Sequence, residues 1–125
     1  MIIDVPDGKD PLVYVWGELV PGIGPAAAAF SAAVYAHSTL ALREFEAARL
    51  TIARVNGCLF CLDYRTERDG QRVEDGFFDE VTAWRTSSVL GERERLAAEY
   101  AERFATEHHG LDEDFWSRMR AAYDD

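Results

Sequence analysis

The sequence predicts an all-α fold, and three observations carry that prediction. Beyond residue 24, apolar residues recur at spacings of three and four, the period of one helix face. Helix-starting and helix-stopping residues punctuate these runs. No alternating apolar–polar stretch is long enough for a useful strand, and the chain shows no internal repeat and no linker. At 125 residues it makes one domain, able to bury a real core yet small enough to gain from partners.

Residues 1–24 hold Pro6, Gly8, Pro11, Gly17, Pro21, Gly22 and Gly24. That density of breakers predicts an irregular N-terminal arm, with "LVYVW" at most a short extended piece. The helical domain is then residues 25–125. Pro25 opens "PAAAAFSAAVYAHSTL", since proline suits a first helical turn and alanine is the best helix former. Phe30, Val34 and His37 share one face of that helix. His37 on such a face reads as a core or interface histidine, with an accessory proton-carrying role as the alternative. Ser38 or Thr39 is the expected cap of the next helix, "LALREFEAARLTIARV". Leu42, Phe45, Ala48, Ile52 and Val55 are its expected buried stripe, and Asn56-Gly57 ends it, Gly57 being a natural left-handed stop.

A third helix is expected from about Cys58 to Arg68, where "DGQ" breaks it, and a fourth from Phe77 to Arg85 with Phe77, Val81 and Trp84 inward. Gly91 precedes "ERERLAAEYAERFATEHH", whose stripe is Leu96, Tyr100 and Phe104 and whose stop is Gly110. His108 and His109 read as cations at a helix C-terminus. Asp112 is placed to cap a last helix with Phe115, Met119 and Ala122 facing in. "RMRAAYDD" ends without a terminator, and its aspartates would cap a further helix, so continuation past Asp125 and a naturally short chain both stay open.

Composition narrows the function. Hydrophobic residues at 48% and charged residues at 29% are ordinary for a soluble globular protein. The 23 acidic residues against 13 basic ones give a formal charge of −10, so nucleic acid and anionic membrane are disfavoured partners. The best membrane-span candidate, Leu12 to Val20, is short and contains Glu18. The start, Met-Ile-Ile-Asp, lacks the basic and apolar segments of a secretory signal, which predicts a cytoplasmic protein.

The chain's cysteines are Cys58 and Cys61, two residues apart. In the cytoplasm such a pair is more often catalytic or metal-binding than a structural disulfide. Cys58 at a helix start faces unpaired N–H groups and the positive dipole end, which favour a thiolate. Cys61 lies one turn on, at a spacing that permits a disulfide. Three readings fit the pair: a redox dithiol, two buried structural cysteines, or half of a zinc site. Zinc wants four ligands, and beyond the pair only His37, His108 and His109 offer nitrogen or sulfur ligands, none placed nearby by the sequence. No metal and no cofactor is expected.

The stretch "EFEAARLTIARVNGCLFCLDYR" resembles the core of the carboxymuconolactone decarboxylase and alkylhydroperoxidase D superfamily. Redox-active members show a glutamate, a cysteine twelve residues on, and then Cys-x-x-Cys-x-x-x-His, with Asn usual before the first cysteine. Here Glu46, Asn56, Cys58 and Cys61 stand at those positions. The specific likeness covers residues 42–65, and a looser one runs through "AWRTSSVLGERERLAAEYAERF". The resemblance implies an alkylhydroperoxidase D-like helical bundle that assembles as a homo-oligomer, a trimer or a hexamer. It implies Cys61 as the peroxide-attacking thiol and Cys58 as its disulfide partner. Glu46 and the motif histidine would form a proton relay, and a dithiol reductant such as a lipoyl domain or a thioredoxin-like protein would restore the thiols.

Arg65 stands where the family has that histidine. If the third helix reaches it, Arg65 sits one turn above Cys61. Arginine cannot accept and return a proton near neutral pH, though its charge can stabilise a thiolate. Glu46 then has an alternative as a structural ion-pair partner of Arg65, Arg49 or Arg43. Asp63 adds a nearby negative charge that opposes a thiolate unless it points to solvent. Tyr64 is an accessory candidate, as a hydrogen-bond donor at the site or a core or interface residue. The functions implied are a thiol-dependent hydroperoxidase or disulfide reductase, a non-redox decarboxylase of a small carboxylactone, and a catalytically weakened redox-sensing oligomer.

Overall fold

A computed structural model describes residues 3–124. Its regular elements are helical, and among the described residues no β-strand forms. The chain divides into a first compact unit ending at Thr39 and a second beginning at Leu40. The density of breakers suggested a different division, at 24/25. Among the described residues no single helix is long and apolar enough to cross a membrane.

In the first unit, α1 (Pro11–Val13) runs directly into a π-helical segment, Tyr14–Leu19. This corrects the expectation of an extended or irregular piece. Asp10 accepts the Val13 N–H at 2.9 Å and Pro11 occupies the first turn, so a capped helix start is built in. The breakers lie mostly at its two ends and bound the helix. α2 (Gly24–His37) follows. A Cβ on Gly24 would lie 1.6 Å from the Trp16 carbonyl oxygen, so only glycine allows this approach. α2 is helical by its alanines, not by packing: Gly24 is its one buried residue, Phe30 is 73% exposed, and Val34 and His37 are exposed too. A core role for His37 is therefore corrected.

The second unit is built on α3 (Leu42–Val55) packed along α6 (Glu92–Glu107). Ala47, Leu50, Phe77, Val81, Trp84, Leu90, Ala97 and Ala98 form its core. Phe77 and Leu50 are almost fully buried, each worth about 1.5–3 kcal/mol of transfer free energy. The expected α3 stripe is corrected. Leu42, Phe45, Ala48, Ile52 and Val55 are only half-buried, while Ala47, Leu50, Thr51 and Ala53 face the core. Periodicity missed this because Glu44 and Glu46 are buried on α3 as well, and both are held by arginines.

α5 is shorter than expected, Phe77–Thr82, with Phe77, Val81 and Trp84 inward as the spacing predicts. α6 passes through a 3-10 turn, His108–Gly110, in which neither imidazole bonds a helix carbonyl among the described residues. α7 (Glu113–Ala122) starts at Asp112, whose side chain accepts the Phe115 N–H at 2.9 Å. Phe115 is fully buried, with the Tyr100 ring centroid at 6.2 Å and the Arg103 and Arg118 guanidinium groups over its ring.

Candidate functional site

The site begins where α3 ends. Asn56 remains near helical geometry and Gly57 turns left-handed at φ 62°. The Cys58 N–H then donates to the Ala53 carbonyl at 3.0 Å and the Gly57 N–H to Arg54 at 3.1 Å. These are the paired bonds of a Schellman stop. Cys58 thus closes α3 and also serves as the N-cap of α4 (Leu59–Asp63), its sulfur accepting the Cys61 N–H at 3.2 Å. Cys58 and Cys61 are joined as a disulfide, and both are partly exposed. Leu59 (79%) and Phe60 (67%) project to solvent between them.

α4 stops at Asp63 and does not reach Arg68. Tyr64 is already extended, with ψ 137°. Guanidinium groups take the carbonyls that further helical N–H groups would have used. Arg49 Nη1 donates to Cys61 O at 2.5 Å and Arg49 Nη2 to Tyr64 O at 2.8 Å. Arg65 Nη1 donates to the carbonyls of Leu62 and Tyr64. Arg65 is therefore not one helical turn above the Cys61 sulfur, which corrects that expectation. Beyond it, Asp69 and Gly70, both left-handed, close a two-residue hairpin turn in which Arg68 and Gln71 exchange backbone bonds.

Glu46 is fully buried beneath this segment. Its carboxylate receives Arg49 Nε at 2.6 Å, Arg49 Nη2 at 2.9 Å and the Thr66 hydroxyl at 2.5 Å. Of the pairings open to Glu46, the structure makes the one with Arg49. Arg43 goes to Glu74 and Glu94, and Arg65 to backbone. Arg49 thus ties the buried carboxylate to the backbone of Cys61, and its charge also lies over the Tyr64 ring at 5.7 Å. Tyr64 is 47% exposed. Thr66 completes the shell around Glu46; it lies beyond α4 and nothing in the sequence singles it out, whereas Arg49 is one turn from Glu46 on the same helix.

The second unit brings together Cys58, Cys61, Glu46, Arg49, Tyr64, Arg65 and Thr66. His37 sits at the C-terminal end of α2 in the first unit. Beside the cysteine segment lies an open cleft of about 380 Å³ lined by Phe60, Asp63, Tyr64, Arg65 and Arg72. Among the described residues no three His, Cys, Asp or Glu side chains gather as a metal site.

These features define an all-helical protein with a paired-cysteine turn between two helices and a buried glutamate on the first. The model of the carboxymuconolactone decarboxylase family matches residues 21–103, and the chain belongs to that family. The match reaches from before α2 through most of α6 and contains the whole cysteine segment. No curated protein and no solved structure matches the chain.

Proposed function

We propose that the protein is a thiol-dependent oxidoreductase that cycles Cys58 and Cys61 between dithiol and disulfide while reducing a hydroperoxide. The observation that carries this reading is the partly exposed Cys58–Cys61 disulfide at the start of α4. In the reduced protein, the Cys61 thiolate attacks a peroxide oxygen. The S–O bond forms, the O–O bond breaks and the alcohol leaves with a proton. Cys58 then displaces water from the Cys61 sulfenic acid and forms the disulfide, and two electrons from an external dithiol protein restore both thiols. Cytoplasmic thiol pools suit such a cycle.

The test is peroxide consumption with a dithiol reductant, in wild type, Cys61→Ser and Cys58→Ser. Equal rates in wild type and Cys61→Ser would reject the reading. Cys58→Ser is expected to lose turnover yet still form a sulfenic acid on Cys61 in one stoichiometric reaction.

A second reading, disulfide reduction with Cys58 as the first nucleophile, is favoured by one contact. The Cys61 N–H points at the Cys58 sulfur, a donor that stabilises a thiolate there. The buried carboxylate is also engaged by Arg49 and Thr66, and Arg65 takes the place of a proton carrier, so peroxide reduction would proceed without the family's relay. A lower thiol pKa at Cys58 than at Cys61, with faster reduction of a small disulfide than of peroxide, would select this second reading.

A further inference from the structure

Arg65 is more than a substitute for a missing histidine. Its Nη1 is anchored on the carbonyls of Leu62 and Tyr64. Its Nε and Nη2 make no hydrogen bond, and no carboxylate pairs with it, among the described residues. Most arginines here are spent on ion pairs: Arg43, Arg49, Arg54, Arg72, Arg85, Arg93, Arg103, Arg118 and Arg120 all have carboxylate partners. Arg68 and Arg95 likewise lack a carboxylate partner among the described residues and hydrogen-bond only through Nη1, but of these three half-buried arginines it is Arg65 that lines the cleft beside the cysteine segment. Its open Nε–Nη2 edge is the fork that receives a carboxylate in two parallel bonds.

The surroundings define the rest of the ligand. Arg65 lines the cleft of about 380 Å³ together with Phe60 and Tyr64, whose rings lie 21° from parallel with centroids 6.5 Å apart. They offer an aromatic wall to an apolar body. Arg72, also in the lining, is already neutralised by Glu67 at 2.8 Å, and Asp63 adds a negative charge. The charges around the cleft therefore sum to zero, so a carboxylate would be held by the directed fork of Arg65 rather than by excess positive charge, and a dianion such as a phosphomonoester is opposed. Phe60 is the residue just before Cys61, and Asp63 and Tyr64 follow it closely, so a molecule in the cleft lies against the redox segment.

We propose that this cleft is the substrate subsite of the cysteine pair and that it takes a small monocarboxylate with an aromatic or alkyl body, held through the open edge of Arg65. The inference rests on the redox reading above for calling the ligand a substrate, while the binding itself is testable without turnover.

The experiment is calorimetric titration of the oxidised protein with 4-phenylbutyrate, its uncharged amide and phenyl phosphate. Wild type is expected to bind the carboxylate at least about tenfold tighter than the amide and than the phosphate dianion. Arg65→Ala is expected to lose that preference, and Arg65→Lys to recover part of it, because a point charge replaces the fork. Equal affinity for carboxylate and amide in wild type, binding of none of the three, tighter binding of the phosphate, or an unchanged preference in Arg65→Ala would each overturn the proposal. A wild type that prefers the carboxylate but consumes no peroxide and reduces no disulfide would keep the subsite and reject the redox function alone.

Discussion

Replacing Glu46 is expected to have the largest effect of any single polar substitution in the second unit. The carboxylate is fully buried and holds Arg49 in two bonds and Thr66 in a third. Glu46→Ala leaves the Arg49 guanidinium, 11% exposed, without its counter-charge. Breaking a buried pair from one side costs about 3–5 kcal/mol. Chemical denaturation is expected to show a loss of that order, and a smaller loss for Glu46→Gln, which keeps an acceptor oxygen. A change within about 0.5 kcal/mol, the range of ordinary surface substitutions, would mean that the network is not holding α3 to the cysteine segment. The same geometry bears on Arg65→His. The family spacing suggests that a histidine here would restore a proton relay. With α4 ended at Asp63 and Glu46 engaged by Arg49 and Thr66, a histidine at 65 does not find the Glu46 carboxylate free to relay with. Arg65→His is therefore expected to raise the peroxide rate near neutral pH by less than about twofold, against the roughly hundredfold or more that a positioned general base supplies. A gain of about tenfold would show that the imidazole reaches Cys61 after all.

The α3–α4 junction depends on one backbone conformation. Gly57 sits at φ 62° in open space, so a Cβ meets nothing and the cost of Gly57→Ala is purely conformational, about 1–2 kcal/mol. Because the same turn supplies the bond from Cys58 to Ala53, the variant is also expected to change the reactivity of the pair toward a thiol reagent after reduction. A loss of stability with unchanged reactivity would separate the stop from the cysteines. A second junction joins α3, the segment after α5, and α6 through Glu102. Arg85, Trp84 Nε1 and Arg54 all donate to its carboxylate, and the Arg85 bond, helped by Trp84 and the two positive charges, holds it down to about 2 against an ordinary 4.5. A depressed carboxyl stabilises the fold above its unfolded value, and that contribution fades as pH falls from about 4.5 toward 2. The stability gap between wild type and Glu102→Gln should therefore shrink across that window. A gap independent of pH would detach Glu102 from acid unfolding. The signals that were local could be read in the sequence: Asp112 as a cap, Gly57 as a left-handed stop, Cys58 at a helix start, and Phe77, Val81 and Trp84 as a face. What could not be read depended on distant partners. Arginine side chains terminate α4 by taking its carbonyls, paired glutamates invert the apparent polarity of α3, and Thr66 joins Glu46 across 20 residues. The π-helical start was hidden for another reason, since its breakers mark its ends and resemble those of a loop.

The described chain leaves apolar surface in both units. In the first, Phe30 and Val34 on α2 are 73% and 43% exposed, on the face that the sequence pattern directs inward. In the second, Ile52, Val55 and Ala48 on α3 are only half-buried. A monomer with so regular an exposed apolar face is a candidate for assembly, and we propose a homo-oligomer, a trimer or hexamer, as its form in solution. The α2 face permits a clean test. Because Phe30 and Val34 are exposed within the chain, Phe30→Glu and Val34→Glu remove little that holds one copy together, and each should cost within about 0.5 kcal/mol of monomer stability. In an interface the same change would bury a charge without a partner and cost several times more. Light scattering on wild type is thus expected to give a multiple of 14.1 kDa, and the double variant a mass shifted toward a single copy with its helical circular dichroism retained. Each copy carries a formal charge of −10, so assembly works against mutual repulsion. Raising the ionic strength toward 1 M, where the screening length falls to about 3 Å, should favour the larger species. A wild-type mass of one copy at tens of micromolar protein in both low and high salt would reject assembly and leave the α2 face as a surface for something other than this chain.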